Sequence, residues 1–251
     1  MKAQSQKCSS VKRAQDIKDA GRGALKGKSQ KEMAKADPEE IARCGVLMKE
    51  GLHLLGEEVT DEWCAGFLQV LLEMQSWNRV HNVTALQSLR EMVTGHVIDS
   101  AAAAPFLSGT QIADAGTGGG FPGLVLAALR PYQHFTLIDS VSKKLAFVRS
   151  AQAMLKLQNL AVLHHRLEEI SKAPPCFDCI VSRALAPLGR LCCLCLPYLT
   201  KDGVLVAMKG NLSDEEKAEV PSTAYIAEIK TLNVPWVEGT RSIVIIKPRT
   251  V

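Results

Sequence analysis

The densest chemistry in this chain of 251 residues lies in Ile112-Ala113-Asp114-Ala115-Gly116-Thr117-Gly118-Gly119-Gly120-Phe121-Pro122-Gly123. A short apolar run containing an acid leads into a loop with glycine at five of eight positions, and Pro122 fills the slot where a helix begins. Glycine lets a backbone turn tightly and approach a ligand closely. Proline is tolerated in a first helical turn, where its missing N–H leaves no bond unmade. Strand, glycine turn and helix N-terminus together make a nucleotide-type cofactor site. Asp139 stands 23 residues after Gly116, at the end of the run Phe135-Thr136-Leu137-Ile138. A carboxylate there reaches both hydroxyls of an adenosine ribose; otherwise it caps the helix that starts near Ser142.

The stretch Gly118–Gly123 also fits the dinucleotide fingerprint G-x-G-x-x-G, a weak signal by itself. Gly116 precedes the match, and Pro122 interrupts the turn where a phosphate-binding helix would offer its N–H groups. Both features favour S-adenosylmethionine over a nicotinamide dinucleotide, because it has no pyrophosphate to hold. Phe121 either lies against the adenosine or methionine moiety or is a core side chain. After the third strand, Arg166-Leu167-Glu168-Glu169 sits where an open α/β sheet meets an adenine. Glu168 could accept from the adenine amino group; the plainer alternative is a solvated helix start. Arg183, in Val181-Ser182-Arg183-Ala184-Leu185-Ala186-Pro187, could orient a cofactor carboxylate or hold a substrate phosphate, or form a structural ion pair. His96 and Asp99, one helical turn apart, suggest an acid–base pair, but a bridge between helices and sheet is the stronger reading. Cys176-x-x-Cys179 and Cys192-x-x-Cys195 approach zinc-ribbon spacing. They fall on an apolar strand and helix, so they read as small buried hydrophobes, and no metal is expected.

The elements that must position these residues follow from periodicity. Asp37-Pro38-Glu39-Glu40 reads as a cap, a proline at the first helical position and a glutamate at the third, opening a helix to about Leu55. Thr60 caps a second helix whose positions Trp63, Phe67, Leu71, Met74 and Trp77 recur at helical spacing. Ser88 and Glu91 form a capping box for a third, running through His96 toward Ala104. From Gln111 the pattern alternates. Strands are expected at Gln111–Ala115, His134–Asp139, Ala161–His165, Phe177–Ser182, Gly203–Met208, Tyr225–Thr231 and Ser242–Lys247. Helices fall between them, which gives a seven-stranded, mostly parallel α/β sheet behind an N-terminal helical lead-in. The expected division is a tail over residues 1–37, a lead-in over 38–104 packed on the catalytic domain, and the catalytic domain over 105–251.

The overall charge of +4 is uneven. The tail Met1–Asp37 holds ten basic and four acidic residues, so it carries +6 and the rest of the chain −2. It has no apolar period and is expected to be disordered; it either attracts RNA phosphates or is a solvated, dispensable extension. No apolar run is long enough for a bilayer and no signal-peptide core opens the chain, so a cytoplasmic location is expected.

At these residues the chain resembles the bacterial 16S ribosomal RNA guanine-N7 methyltransferases of the glucose-inhibited division protein B family. The likeness runs from about Leu72 to Gly210. It rests on Trp77-Asn78, Asn82-Val83-Thr84, His96-Val97-Ile98-Asp99-Ser100, Gly116–Gly123, Asp139-Ser140, Ser182-Arg183-Ala184 and Lys209-Gly210. The resemblance implies a class I, Rossmann-like methyltransferase fold. It implies S-adenosylmethionine near Gly116, Phe121, Leu167-Glu168 and Arg183, and 16S rRNA or the small ribosomal subunit as partner. Val83 and Leu167 depart mildly from the family pattern, and the basic tail is longer than usual. The loop glycine Gly118 and Asp139 complete the expected cofactor set, and Arg183 and Lys209 are candidates for touching RNA. So are Lys143, Lys144, Arg149, Arg190 and Arg241. Guanine N7 carries a free lone pair at neutral pH, so no general base is required and no catalytic dyad is found. Two alternatives stand beside this reading: an NAD-dependent oxidoreductase and a non-catalytic ribosome-assembly factor that retains the fold.

Overall fold

The computed structural model describes residues 37–169 and 176–249. The basic tail read as disordered therefore lies, apart from Asp37, outside the described residues. Helix α1 (Pro38–Leu54) starts where expected, with the Asp37 carboxylate accepting from the Glu39 N–H at 3.0 Å. Helix α2 (Asp61–His81) is capped by Thr60, whose hydroxyl accepts from the Trp63 N–H. Helix α3 (Leu89–Met92) opens with the reciprocal Ser88–Glu91 capping box.

The third helix does not continue evenly to Ala104. It widens into a π-helical turn at Val93–Ile98, resumes as α4 (Asp99–Ala101) and ends in a 3-10 turn at Ala104–Phe106. Two local facts explain the distortion. A Cβ on Gly95 would stand 2.8 Å from Leu86, so the glycine admits close packing; and the Gly95 carbonyl accepts from Arg183 at 2.7 Å, a tertiary bond that a regular helix would not favour. π turns of this kind recur at functional sites.

The sheet has seven strands in the order β3-β2-β1-β4-β5-β7-β6. They are β1 (Gln111–Ala115), β2 (His134–Asp139), β3 (Leu160–His164), β4 (Phe177–Arg183), β5 (Leu199–Lys209), β6 (Ala224–Leu232) and β7 (Arg241–Pro248). All seven expected strands are present. Most boundaries shift by a residue or so, and β5 starts four residues early, beyond an irregularity between Phe177 and Cys179. Only β7 is reversed, antiparallel to both neighbours. Helices α5 (Gly123–Leu129), α6 (Ser142–Leu155), α7 (Leu188–Cys195) and α8 (Asp214–Ala218) connect the strands. The chain winds outward from β1 to β3 and returns to place β4 beside β1. That reversal opens a crevice at the strands' C-terminal ends, where open α/β sheets bind ligands.

Side chains alternate between two cores, as a pleated sheet requires. Ile112, Leu137, Val181 and Val206 face one core and Ala113, Ile138, Ile180 and Leu205 the other. The first core also takes in Met48, Leu52, Phe67, Leu71 and Met74 of the helical lead-in, so these helices and one sheet face are packed as one body. Cys179, Cys192 and Cys195 are buried in apolar surroundings, with burial raising all three thiol pKa values. Cys176 and Cys193 are exposed, and among the described residues no three His, Cys, Asp or Glu side chains gather as a metal set.

Phe67 is fully buried where α2 meets this shared core. Phe67→Ala should cost about 3–5 kcal/mol and leave one cooperative denaturant transition. Two separate transitions would show that the lead-in folds independently of the sheet.

Candidate active site

The glycine loop closes around one carboxylate. Asp114 is fully buried in β1, and its Oδ2 accepts from the Thr117 hydroxyl at 2.6 Å and from the Gly123 N–H at 2.8 Å. These bonds pin both ends of the loop. Gly116, Gly118 and Gly120 take φ values of 72°, 57° and 93°, in the left-handed region that side chains disfavour. The N–H groups of Gly116 and Thr117 both donate to the Ile138 carbonyl, tying the loop to β2. Burial pushes the Asp114 carboxyl up to about 6, against the lowering effect of Thr117 and Gly123, and its Oδ1 has no partner among the described residues.

Asp139 joins the loop at the end of β2. Its Oδ2 accepts from the Gly118 N–H at 2.9 Å and its Oδ1 from the Val141 N–H at 2.8 Å. A carboxylate offers about four lone-pair sites, so two remain for other donors. Gly118 is the open face of the loop: a Cβ there would meet nothing nearer than the Gly116 carbonyl at 4.0 Å. Crowding therefore does not explain this glycine, whereas its left-handed φ does. Gly116 is hemmed in instead, with Leu185 packed against its α-carbon.

Phe121 is only 5% exposed and its ring stacks on His96 at 4.7 Å. The ring therefore belongs to the core and shapes the floor of the loop. Leu167 is buried and its carbonyl accepts from the Tyr198 hydroxyl. Glu168 is half-exposed and its Oε1 pairs with Arg190 at 2.8 Å, so an adenine amino group would share that carboxylate with a guanidinium. Its carboxyl lies below the ordinary range, chiefly because its own backbone N–H donates to it.

Arg183 reaches toward the helical lead-in. Its Nη1 donates to the Gly95 carbonyl and to Asp99 Oδ2, both at 2.7 Å, and its Nη2 faces His96 Nδ1 at 3.2 Å. The structural ion pair considered from sequence is thus present, and His96 and Asp99 form the expected bridge from lead-in to sheet. A guanidinium only donates, so His96 Nδ1 accepts and the imidazole carries its proton on Nε2, toward Thr84 Oγ1 at 2.8 Å. Burial, then the Arg183 charge, lowers the His96 pKa to about 3. The ring is neutral at physiological pH and its lone pair is engaged, so it serves as a packing and hydrogen-bonding piece. Lys209 pairs with Glu216 at 2.6 Å and donates to the Ala186 carbonyl. Lys143 and Arg149 are exposed on α6.

Asp114 and Thr84 take part in this network without having been singled out for it from sequence, and the sharing of Asp99 between Arg183 and Arg241 was not foreseen either. A usable signal existed for Asp114: an acid two residues before the first loop glycine, with a threonine three residues on, is placed to receive both the hydroxyl and a loop N–H.

The family described as rRNA small subunit methyltransferase G (GidB) matches residues 64–244. The chain belongs to this family. Among curated methyltransferase G proteins, it is 37% identical over 197 residues to the ribosomal RNA small subunit methyltransferase G of Enterobacter sp. (strain 638), covering 78% of this chain and 95% of that protein. The Klebsiella pneumoniae (strain 342) protein of the same description is 38% identical over 177 residues, covering 70% and 85%. A solved structure from Nostoc punctiforme PCC 73102, provisionally described as an O-methyltransferase, superposes with a TM-score of 0.50 at 10% identity over 63% of this chain and 58% of that one. The GidB match spans every element of the site, from α2 through the start of β7. At that distance the Nostoc likeness concerns the fold alone.

The pKa of Asp114 generates a prediction. A carboxyl raised to about 6 in the fold favours the native state below its unfolded pKa, and this contribution is lost as pH rises through 6. Asp114→Asn keeps an acceptor for Thr117 and Gly123 without the charge. Denaturation at pH 4 to 7 should show wild type losing about 2–3 kcal/mol relative to the variant as pH rises. A pH-independent difference would place the ionised carboxylate in a better-solvated setting.

Proposed function

We infer that this chain is an S-adenosylmethionine-dependent methyltransferase acting on N7 of a guanine in small-subunit ribosomal RNA. The observation that carries the inference is the glycine loop clamped between Asp114 and Asp139, with Gly118 left open, inside a chain that matches the GidB family throughout the site. S-adenosylmethionine supplies an electrophilic methyl group on a sulfonium.

The chain's own residues bind and orient. Gly116 and Gly118 let the backbone approach the cofactor, and the two remaining lone-pair sites of Asp139 take the ribose hydroxyls. The Leu167-Glu168 segment receives the adenine, with the Glu168 oxygen not held by Arg190 available to its amino group. Phe121 supports the loop from below through its stack on His96. Arg183 is a positioning residue: through Gly95, His96 and Asp99 it holds the β4 end against the lead-in, and so sets where Leu185 meets Gly116. Guanine N7 needs no proton removed before it attacks, so rate comes from alignment and from exclusion of water. The neutral, fully bonded His96 agrees with chemistry that asks for no base.

Undermethylated small subunits incubated with labelled S-adenosylmethionine should acquire label at one guanine N7; absence of label in RNA would overturn the assignment. Gly118→Val tests the cofactor pose. It places a branched side chain at a φ of 57° and into the open face of the loop. Strain of about 1–2 kcal/mol should lower the melting temperature modestly. S-adenosylhomocysteine affinity, measured by calorimetry, should fall well beyond ten-fold. Unchanged affinity would remove Gly118 from the site.

A further inference from the structure

The ends of β4 and β5 and the facing ends of β6 and β7 enclose a cavity of about 320 Å3, near the lower end of the range for small-molecule sites. Neighbouring strands build it in register: Arg183 lies beside Met208, Met208 beside Ile243, and Leu232 beside Arg241. Met208, Leu232, Val234 and Ile243 give it an apolar floor, while Arg183, Lys209 and Arg241 bring three cations to its lining. The segment after β4 borders both this cavity and the glycine loop, with Arg183 lining the one and Leu185 touching the other.

The charges here do not cancel. Asp99 is shared by Arg183 and Arg241, at 2.7 and 2.8 Å, and Glu216 is matched by Lys209. Three cations face two carboxylates, which leaves one positive charge. Arg241 is the most exposed of the three and has a donor to offer. Its Nε donates to Asp99 and its Nη1 to the Thr240 carbonyl, whereas its Nη2 has no hydrogen-bond partner among the described residues. Its side chain is 33% exposed, against 18% for Arg183 and 15% for Lys209.

We propose that this cavity receives the target nucleotide, turned out of its stack, with the base over the apolar floor and the Arg241 guanidinium on an adjoining phosphate. The proposal rests on the methyltransferase reading above and assigns its RNA subsite. N7 of a guanine within an A-form helix lies in a deep, narrow major groove that side chains do not read. An enzyme acting on that atom takes the base out of the helix or finds it unstacked. Such a nucleotide presents a flat apolar face and an anion, and the cavity offers an apolar floor and one uncompensated guanidinium. Arginine binds phosphate through parallel N–H groups.

Two variants test the base and phosphate contacts separately, using in-vitro transcribed 16S rRNA and enzyme saturated with S-adenosylhomocysteine. Gly210 borders the cavity, and a Cβ there meets only the Thr240 carbonyl, at 3.8 Å. Gly210→Leu therefore fills part of the cavity with side chain without a backbone clash. It should weaken RNA binding about ten-fold and leave the salt dependence unchanged. Arg241→Gln keeps a donor for Asp99 and removes the charge. It should weaken RNA binding and reduce the slope of log K against log salt by about 0.7. Both variants should retain S-adenosylhomocysteine affinity. Wild-type RNA affinity in both, or an Arg241→Gln variant that loses thermal stability and cofactor affinity with its salt slope intact, would overturn the proposal. If wild type labels guanine N7 while both variants bind RNA normally, only the subsite fails. If the variants behave as stated but wild type labels no guanine, only the assigned reaction fails.

Discussion

One buried carboxylate holds the parts of this molecule in register. Asp99 is 5% exposed, and each of its oxygens takes a guanidinium from a different strand, Arg183 at the end of β4 and Arg241 at the start of β7. A carboxylate removed from water to this degree is strongly unfavourable unless its partners are in place. The lead-in helix bearing Asp99 is therefore held over the edge where β4 and β5 end and β7 begins. The π turn just before it follows from the same demand, since it presents the Gly95 carbonyl and the His96 ring to the same arginine. With Arg183 drawn toward the helices, the chain turns back at Ala184, which takes a φ of 54°, and lays Leu185 on Gly116. A single electrostatic junction thus sets the edge that cofactor loop and cavity share.

The glycine loop depends on a second buried acid of different character. Among the described residues Asp114 forms no ion pair, although the Arg183 charge lowers its carboxyl pKa somewhat. Its stability rests on a hydroxyl and one backbone N–H, both at the same oxygen, with the other oxygen unpartnered. Burial without full compensation is why its carboxyl moves toward neutrality. The two acids divide the work: Asp99 locks the lead-in against the sheet, and Asp114 shapes a loop whose open glycine must stay accessible.

Much of this was legible in the sequence because it is local. Alternation and helical period marked all seven strands and the lead-in helices. Asp37, Thr60 and Ser88 cap the helices they were expected to cap, since caps depend on neighbours within three residues. The glycine loop and the place of Asp139 at the end of β2 were legible for the same reason. What the sequence hid is long-range. Nothing near Arg241 announces that it shares a carboxylate 142 positions away, and nothing near Glu168 announces Arg190. The even third helix expected through His96 failed because a tertiary partner, Arg183, competes for a helix carbonyl. Phe121 was read in two ways, and stacking on His96 placed its ring in the core.

The pattern of occupied and unoccupied groups matches what methylation of a lone-pair nitrogen requires. A reaction that must strip a proton needs a base with an accessible lone pair and a pKa near working pH. At this edge His96 has neither: Arg183 engages its Nδ1, its other nitrogen faces Thr84, and its pKa sits near 3. Asp99 is bound on both oxygens and Lys209 is matched by Glu216. The titratable groups are committed to holding one another, which costs no rate when the nucleophile arrives already unprotonated. Their rigidity is then an asset, because alignment of nitrogen, carbon and sulfur is the main term left for the protein to supply. Arg241 stands apart as the most exposed of these cations, with its Nη2 lacking a hydrogen-bond partner among the described residues, and it is the group that the proposed RNA subsite uses.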